Sequence, residues 1–386
     1  MISDKSLLLK TRQFLPGPTP IVSSNGFGTS VENIQYHRTE NFYQVVTSCR
    51  EKLARVMQTK SQPLIITSSG TGAMEAAVVN LTSEGDEVLV VNAGKFGERW
   101  SLLCQSYNCN VHELPVAVGD GLNLELFEES IKSKPKLKAC FIQAYETSTG
   151  LCLPVEKISS ILKAHSQALF VVDGISALCA QDLKMDSWHI DCLIGGSQKG
   201  FGVPPGLSFI ALSSVAMEQF SDRQCFYFDL KREFKGQKKG VTAWTPAITL
   251  LEVLDQSLSK IEEIGLNNLI EHHSLLAQSV KLALKELGFV PLNEELCSNT
   301  LTAVYPPDGI DAKKLIQHLR EKYKVICAGG QAGLSGKIVR FSHLGFVDTM
   351  DVLSGIAAVE FSLKDLGIDI RLGSGVGAFM QNLGKE

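Results

Sequence analysis

Short runs of purely apolar residues recur along this chain, separated by helix-patterned segments, and that alternation constrains the fold more than any other feature. Leu169-Phe-Val-Val172 is the clearest case, with four apolar residues, no polar face, and then Asp173. A strand without a polar face is buried on both sides, as in a parallel sheet covered by helices. The pattern predicts strands at Leu64–Thr67, Glu87–Asn92, Asn110–Pro115, Ala139–Ala144, Leu169–Asp173 and Cys192–Gly195. Helices are expected between them at Arg50–Gln58, Ala73–Asn80, Arg99–Tyr107, Leu124–Lys132 and Val155–Ala164. The expected class is α/β with a mostly parallel, doubly wound sheet.

After Trp244-Thr-Pro246 the texture changes to long helical patterns at Ala247–Glu263 and Leu266–Leu287. Two strand-like runs, Thr300–Tyr305 and Ile338–Phe341, then flank a helical stretch at Ala312–Tyr323. The expected organisation is an N-terminal arm (1–20), a large α/β domain (21–255) and a smaller α+β C-terminal domain (256–386). A chain of 386 residues accommodates two or three such units.

Thirty-seven Lys and Arg against 41 Asp and Glu leave a net charge of −4, which argues against a nucleic-acid clamp or a polybasic membrane surface. Ten cysteines without a CxxC pair read as reduced thiols. No apolar run reaches the roughly 18 residues needed to span a bilayer, and the first residues lack the features of a secretory leader. The expectation is a cytoplasmic protein that binds neither nucleic acid nor membrane.

In parallel α/β sheets, ligands sit beyond the carboxyl ends of the strands. The loop after the Leu64 strand is Ser68-Ser-Gly-Thr-Gly-Ala-Met-Glu75, small residues opening a helix. Its backbone N–H groups either cradle a phosphate or simply make a tight turn. Asn92-Ala-Gly-Lys-Phe-Gly-Glu-Arg99 puts the Phe96 ring beside two glycines, and Glu146-Thr-Ser-Thr-Gly150 supplies hydroxyls. Asp173 is either an N-cap or a buried functional acid. Gly195-Gly-Ser-Gln-Lys-Gly-Phe-Gly202 decides between these readings. A lysine among small residues at the end of a buried strand is desolvated, which lowers its pKa and frees an amine nucleophile. Pyridoxal phosphate requires an amine for its aldehyde, an anion for its ring nitrogen, a stacking face and donors for its phosphate.

The chain resembles the class V (fold type I) pyridoxal-phosphate aminotransferases, within the alanine–glyoxylate and serine–glyoxylate group. The matching stretches are Leu15-Pro-Gly-Pro-Thr-Pro20, Ser69-Gly-Thr-Gly-Ala-Met-Glu75, Glu146-Thr-Ser-Thr-Gly150, Val171-Val-Asp-Gly174, Gly196-Ser-Gln-Lys199, Ala328-Gly-Gly-Gln331 and Gly336-Lys-Ile-Val-Arg-Phe-Ser-His343. The resemblance implies that Lys199 is the Schiff-base lysine and general base, that Asp173 pairs with the ring nitrogen, and that Phe96 stacks on the ring. It implies that Ser69, Gly70, Thr71 and Gln198 hold the phosphate and that Ser148 lies near the ring's phenolic side. It assigns the substrate α-carboxylate to Arg340. It also implies a homodimer in which Thr242 reaches the partner's phosphate.

At the substrate entrance, Tyr36-His37-Arg38 stands where relatives have Gly-His-Arg, and 23–30 is unusually polar and Gly-rich. Tyr36 and Arg38 are therefore candidate substrate contacts. His37, His343 and Cys327 read as loop or packing residues. The implied activity is transfer of an amino group from a small amino acid of alanine or serine type to glyoxylate or pyruvate. A phosphoserine-type or aspartate-type aminotransferase is the alternative. A cysteine desulfurase-like lyase is disfavoured by Gln198, where such enzymes usually have His.

Overall fold

The structure, a computed structural model, describes residues 9–21 and 36–384. The 23–30 stretch lies outside them. The apolar runs assemble into a seven-stranded sheet in the order Leu64–Ile66, Ser208–Leu212, Cys192–Gly196, Leu169–Asp173, Leu137–Gln143, Glu87–Asn92, Asn110–Pro115. Neighbours from Cys192–Gly196 to Asn110–Pro115 pair in parallel. Ser208–Leu212 runs antiparallel to both of its neighbours. The alternating pattern did not predict this strand, because it returns through Pro204-Pro-Gly206 without an intervening helix. Every residue of Leu169–Asp173 is buried, as its unbroken apolar run requires.

Helices cover both faces. On one face the small residues of Gly70–Leu81, among them Ala73, Ala76 and Ala77, pack against Val88, Val90, Val171 and Ile194. On the other, Phe42, Val46 and Leu53 of Glu40–Val56 join Leu251, Leu254 and Leu258 of Ile248–Ile264 in a second apolar layer. Glu40–Val56 begins ten residues before the expected start at Arg50, where the Thr39 hydroxyl accepts from the Phe42 N–H.

The second sheet has the order Arg12–Phe14, Val325–Gly329, Val339–Ser342, Leu301–Tyr305, Val290–Pro291. The N-terminal strand runs parallel to Val325–Gly329, and Phe14 stacks on Phe341 with ring centroids 4.3 Å apart. This anchor delivers Pro16–Thr19 to the carboxyl end of the large sheet. Among the described residues, no helix is long and apolar enough to cross a membrane.

Candidate active site

Lys199 follows the Cys192–Gly196 strand and is buried. Its Nζ donates to the Pro16 carbonyl at 2.6 Å, and Thr19 bonds its carbonyl at 2.8 Å. A Cβ on Gly17 would sit 2.8 Å from Lys199 Cε, and Gly17 has φ +141°, so this close approach needs glycine. Burial lowers the Lys199 ammonium to about 8, with Asp173 opposing the shift and Arg340 and Arg99 adding to it. A neutral amine is thus accessible near physiological pH.

Asp173 ends the central strand. Its Oδ1 accepts from the Ile175 N–H at 2.8 Å, so it caps the following turn. Burial raises its carboxyl to about 6, while Lys199 and Arg99 pull it down. A cationic partner at this acid would restore the carboxylate.

On the neighbouring loops, Glu146 is fully buried and accepts five hydrogen bonds. Its Oε2 takes Phe96 N–H (3.1 Å), Gly97 N–H (3.2 Å) and Gln143 Nε2 (3.1 Å). Its Oε1 takes the N–H of Ser148 at 3.0 Å and the Ser148 hydroxyl. It caps the Lys95–Ser106 helix, whose N-cap position is Gly94 and supplies no side chain. The Arg99 guanidinium lies 4.9 Å from the Phe96 ring centroid and donates to Thr71 Oγ1 at 3.0 Å. Phe96, Ser148 and Thr71 are thereby joined through two charged residues.

The phosphate side is built on the start of Gly70–Leu81. The Ser69 hydroxyl makes no capping bond, and the Gly70 and Thr71 N–H groups have no intrahelical acceptor, while Gly72 N–H donates to the Ser69 carbonyl at 2.9 Å. Gly70 packs against Ile175, where a Cβ would come within 2.4 Å. Gln198 Oε1 is buried without a partner. Arg340, buried on the Val339–Ser342 strand, donates from Nε to the Gly329 carbonyl and from Nη1 to the Thr147 carbonyl, both at 2.8 Å. Neither partner is a carboxylate. Around Lys199, three cations (with Arg99 and Arg340) face two carboxylates, Asp173 and Glu146. A net positive site with open helix N–H groups, a free hydroxyl and an orphaned amide fits an anionic cofactor bearing a phosphate.

A family model described as aminotransferase class-V matches residues 23–375. The chain belongs to the class-V aminotransferase family. It is 34% identical to the "Soluble hydrogenase, small subunit" of Synechococcus sp. (strain PCC 6716), over 98% of each chain. It is 32% identical to the L-aspartate–glyoxylate aminotransferase of Paracoccus denitrificans (strain Pd 1222), covering 96% of this chain and 95% of that one. It is also 32% identical to the serine–glyoxylate aminotransferase of Hyphomicrobium methylovorum, covering 97% and 94%. Among solved structures, the alanine–glyoxylate aminotransferase of Nostoc sp. superposes with a TM-score of 0.86 at 27% identity, covering 94% of this chain and all of that one. The activity class is amino-group transfer.

In this class-V chain, Lys199 lies close enough to Asp173 and Arg340 to feel both charges, and Phe96, Ser148 and Thr71 are tied to neighbouring elements through Glu146 and Arg99. Tyr36 is 60% exposed and packs edge-on against His37, on the turn that leads into Glu40–Val56. Arg38 is exposed on the same turn. Neither is hydrogen-bonded to Lys199 or Arg340. Thr242 bonds the Trp244 carbonyl at 2.6 Å and makes no hydrogen bond to Lys199. His343 is buried with its ring 3.2 Å from Thr302 Oγ1. Cys327 lies in the small-sheet core, where burial pushes its thiol up to about 12. Sequence reasoning did not single out Glu146 and Arg99, the two charged side chains that join Phe96, Ser148 and Thr71. For Arg99 a signal existed, since it sits three residues after Phe96 on one helix face.

Proposed function

We propose that this aminotransferase uses pyridoxal phosphate to move an amino group from a small amino acid, of alanine or serine type, to glyoxylate or pyruvate. The observation that carries the reading is Arg340, a buried guanidinium bonded only to carbonyls and facing Lys199. Burying such a charge is costly unless an anion completes it. The α-carboxylate shared by every amino donor and 2-oxo acid matches its planar fork, and each charge-assisted bond contributes about 1.5–3 kcal/mol.

When bound, pyridoxal phosphate supplies the electron sink that makes the donor's α-proton labile. Ser69, Gly70, Thr71 and Gln198 would hold its phosphate, Phe96 its ring face, Ser148 its phenolic side and Asp173 its ring nitrogen. Lys199 Nζ, desolvated and with a pKa lowered to about 8, takes up and returns the α-proton. Pro16 and Thr19 hold the lysine segment under the N-terminal strap.

A homodimer is part of this reading. Phe226 and Tyr227, both exposed, cluster with the half-buried Trp244 beside Thr242, with Arg232 over the Phe226 and Trp244 rings. Such a patch suits a second copy, to which Thr242 would be presented. A dicarboxylic donor is the second reading, favoured by the Paracoccus relative's name and by Arg38 as an exposed cation.

An amino-donor panel, followed at the bound cofactor's visible absorbance, separates the two. Arg340→Lys keeps the charge but loses the fork, so kcat/KM should fall roughly tenfold or more for all donors together. Arg38→Ala should cripple only a donor with a second anionic group. If Arg38→Ala abolishes turnover of the best donor while Arg340→Lys is mild, the anchoring is reversed and the second reading stands.

A further inference from the structure

We infer that Glu146 is the positioning residue of this active site, a buried carboxylate that sets the Phe96 ring and the Ser148 hydroxyl in register with Lys199. The inference rests on the function proposed above and extends it to a residue that touches neither cofactor nor substrate.

Three observations carry it. Glu146 has no exposed surface, and its five donors come from the segment carrying Phe96, the loop carrying Ser148 and Gln143 at the end of the Leu137–Gln143 strand. A carboxylate accepts at both oxygens, so one side chain satisfies them all, whereas an amide would turn an N–H toward donors. The fit is also sterically tight. A Cβ on Gly94 would lie 2.4 Å from Ser148 Oγ and 2.7 Å from Glu146 Cδ, and Gly94 has φ +154°. Finally, the charge is felt across the site. Lys199 is faced by Asp173, Arg340, Arg99 and Glu146, and Glu146 favours the protonated forms of Lys199, Asp173 and Arg340 alike. A merely structural cap on the Lys95–Ser106 helix would hold that helix without acting on the lysine.

The test uses the cofactor-loaded protein and three readouts: the dissociation constant of pyridoxal phosphate, the circular-dichroism band of the bound cofactor, and the pH midpoint of its visible absorbance. Glu146→Gln should weaken cofactor binding roughly tenfold or more, shrink the dichroic band and move the midpoint to lower pH. Glu146→Asp keeps the charge but cannot span both loops, so it should weaken binding while leaving the midpoint near the wild-type value. Gln143→Met removes one donor and should weaken binding a few-fold, which decides the matter if Glu146→Gln does not fold. Wild-type values of all three readouts in a folded Glu146→Gln protein would overturn the inference. So would wild-type values in Gln143→Met when Glu146→Gln is unfolded, or equal midpoint shifts in Glu146→Gln and Glu146→Asp. A wild-type chain that takes up no cofactor would overturn the function proposed above, and this inference with it.

Discussion

Lys199 shows how one residue's burial becomes chemistry. Removing its ammonium from water lowers it from the usual 10.5 to about 8, and the same shift links it to stability. In the cofactor-free protein, between about pH 8 and 10.5, the unfolded chain holds a proton on this lysine that the folded chain has released. The Lys199 contribution to stability therefore rises with pH across that window, and the cost of the buried charge is fully present below it. Chemical denaturation of the cofactor-free protein from pH 7 to 10.5 should show the wild type gaining stability relative to Lys199→Met, on top of the fall that burial-raised thiols such as Cys140 and Cys327 impose on both proteins. An identical slope in both would place the titration elsewhere. Lys199 and Asp173 were legible in the sequence because each ends an apolar strand at the side where ligands bind. Glu146 was not, because its role depends on five donors from residues spread over 143–148 and 96–97, which spacing alone does not bring together.

At the level of elements, periodicity identified the parallel strands because full burial leaves an unbroken apolar run. It missed Arg12–Phe14, three residues long, whose strand character comes from pairing with Val325–Gly329. That pairing carries Pro16 and Gly17 onto Lys199. The Thr242–Trp244 segment presents the opposite case, since among the described residues the Thr242 hydroxyl bonds only the Trp244 carbonyl while Phe226 and Tyr227 pack with Trp244 as an aromatic face. If it completes the partner's phosphate site, mixing Lys199→Ala with Thr242→Ala protein should yield heterodimers with one intact site. Activity should then exceed the sum of the two parents. Activity no higher than that sum, once subunit exchange is demonstrated, would contradict a shared site.

For the molecule as a whole, two sheets converge on one lysine. The large sheet brings Lys199, Asp173 and the Ser69 loop to its carboxyl edge, and the small sheet contributes Arg340 and the strap that begins at Arg12–Phe14. In the proposed reading, the cofactor and substrate anchors thus come from different sheets. The central claim is that this convergence serves pyridoxal phosphate carried on Lys199. The measurement that tests it most directly is borohydride reduction of the cofactor-loaded protein followed by peptide mapping. The account predicts a single phosphopyridoxyl adduct on Lys199. An adduct on another lysine, or none at saturating cofactor, would contradict it.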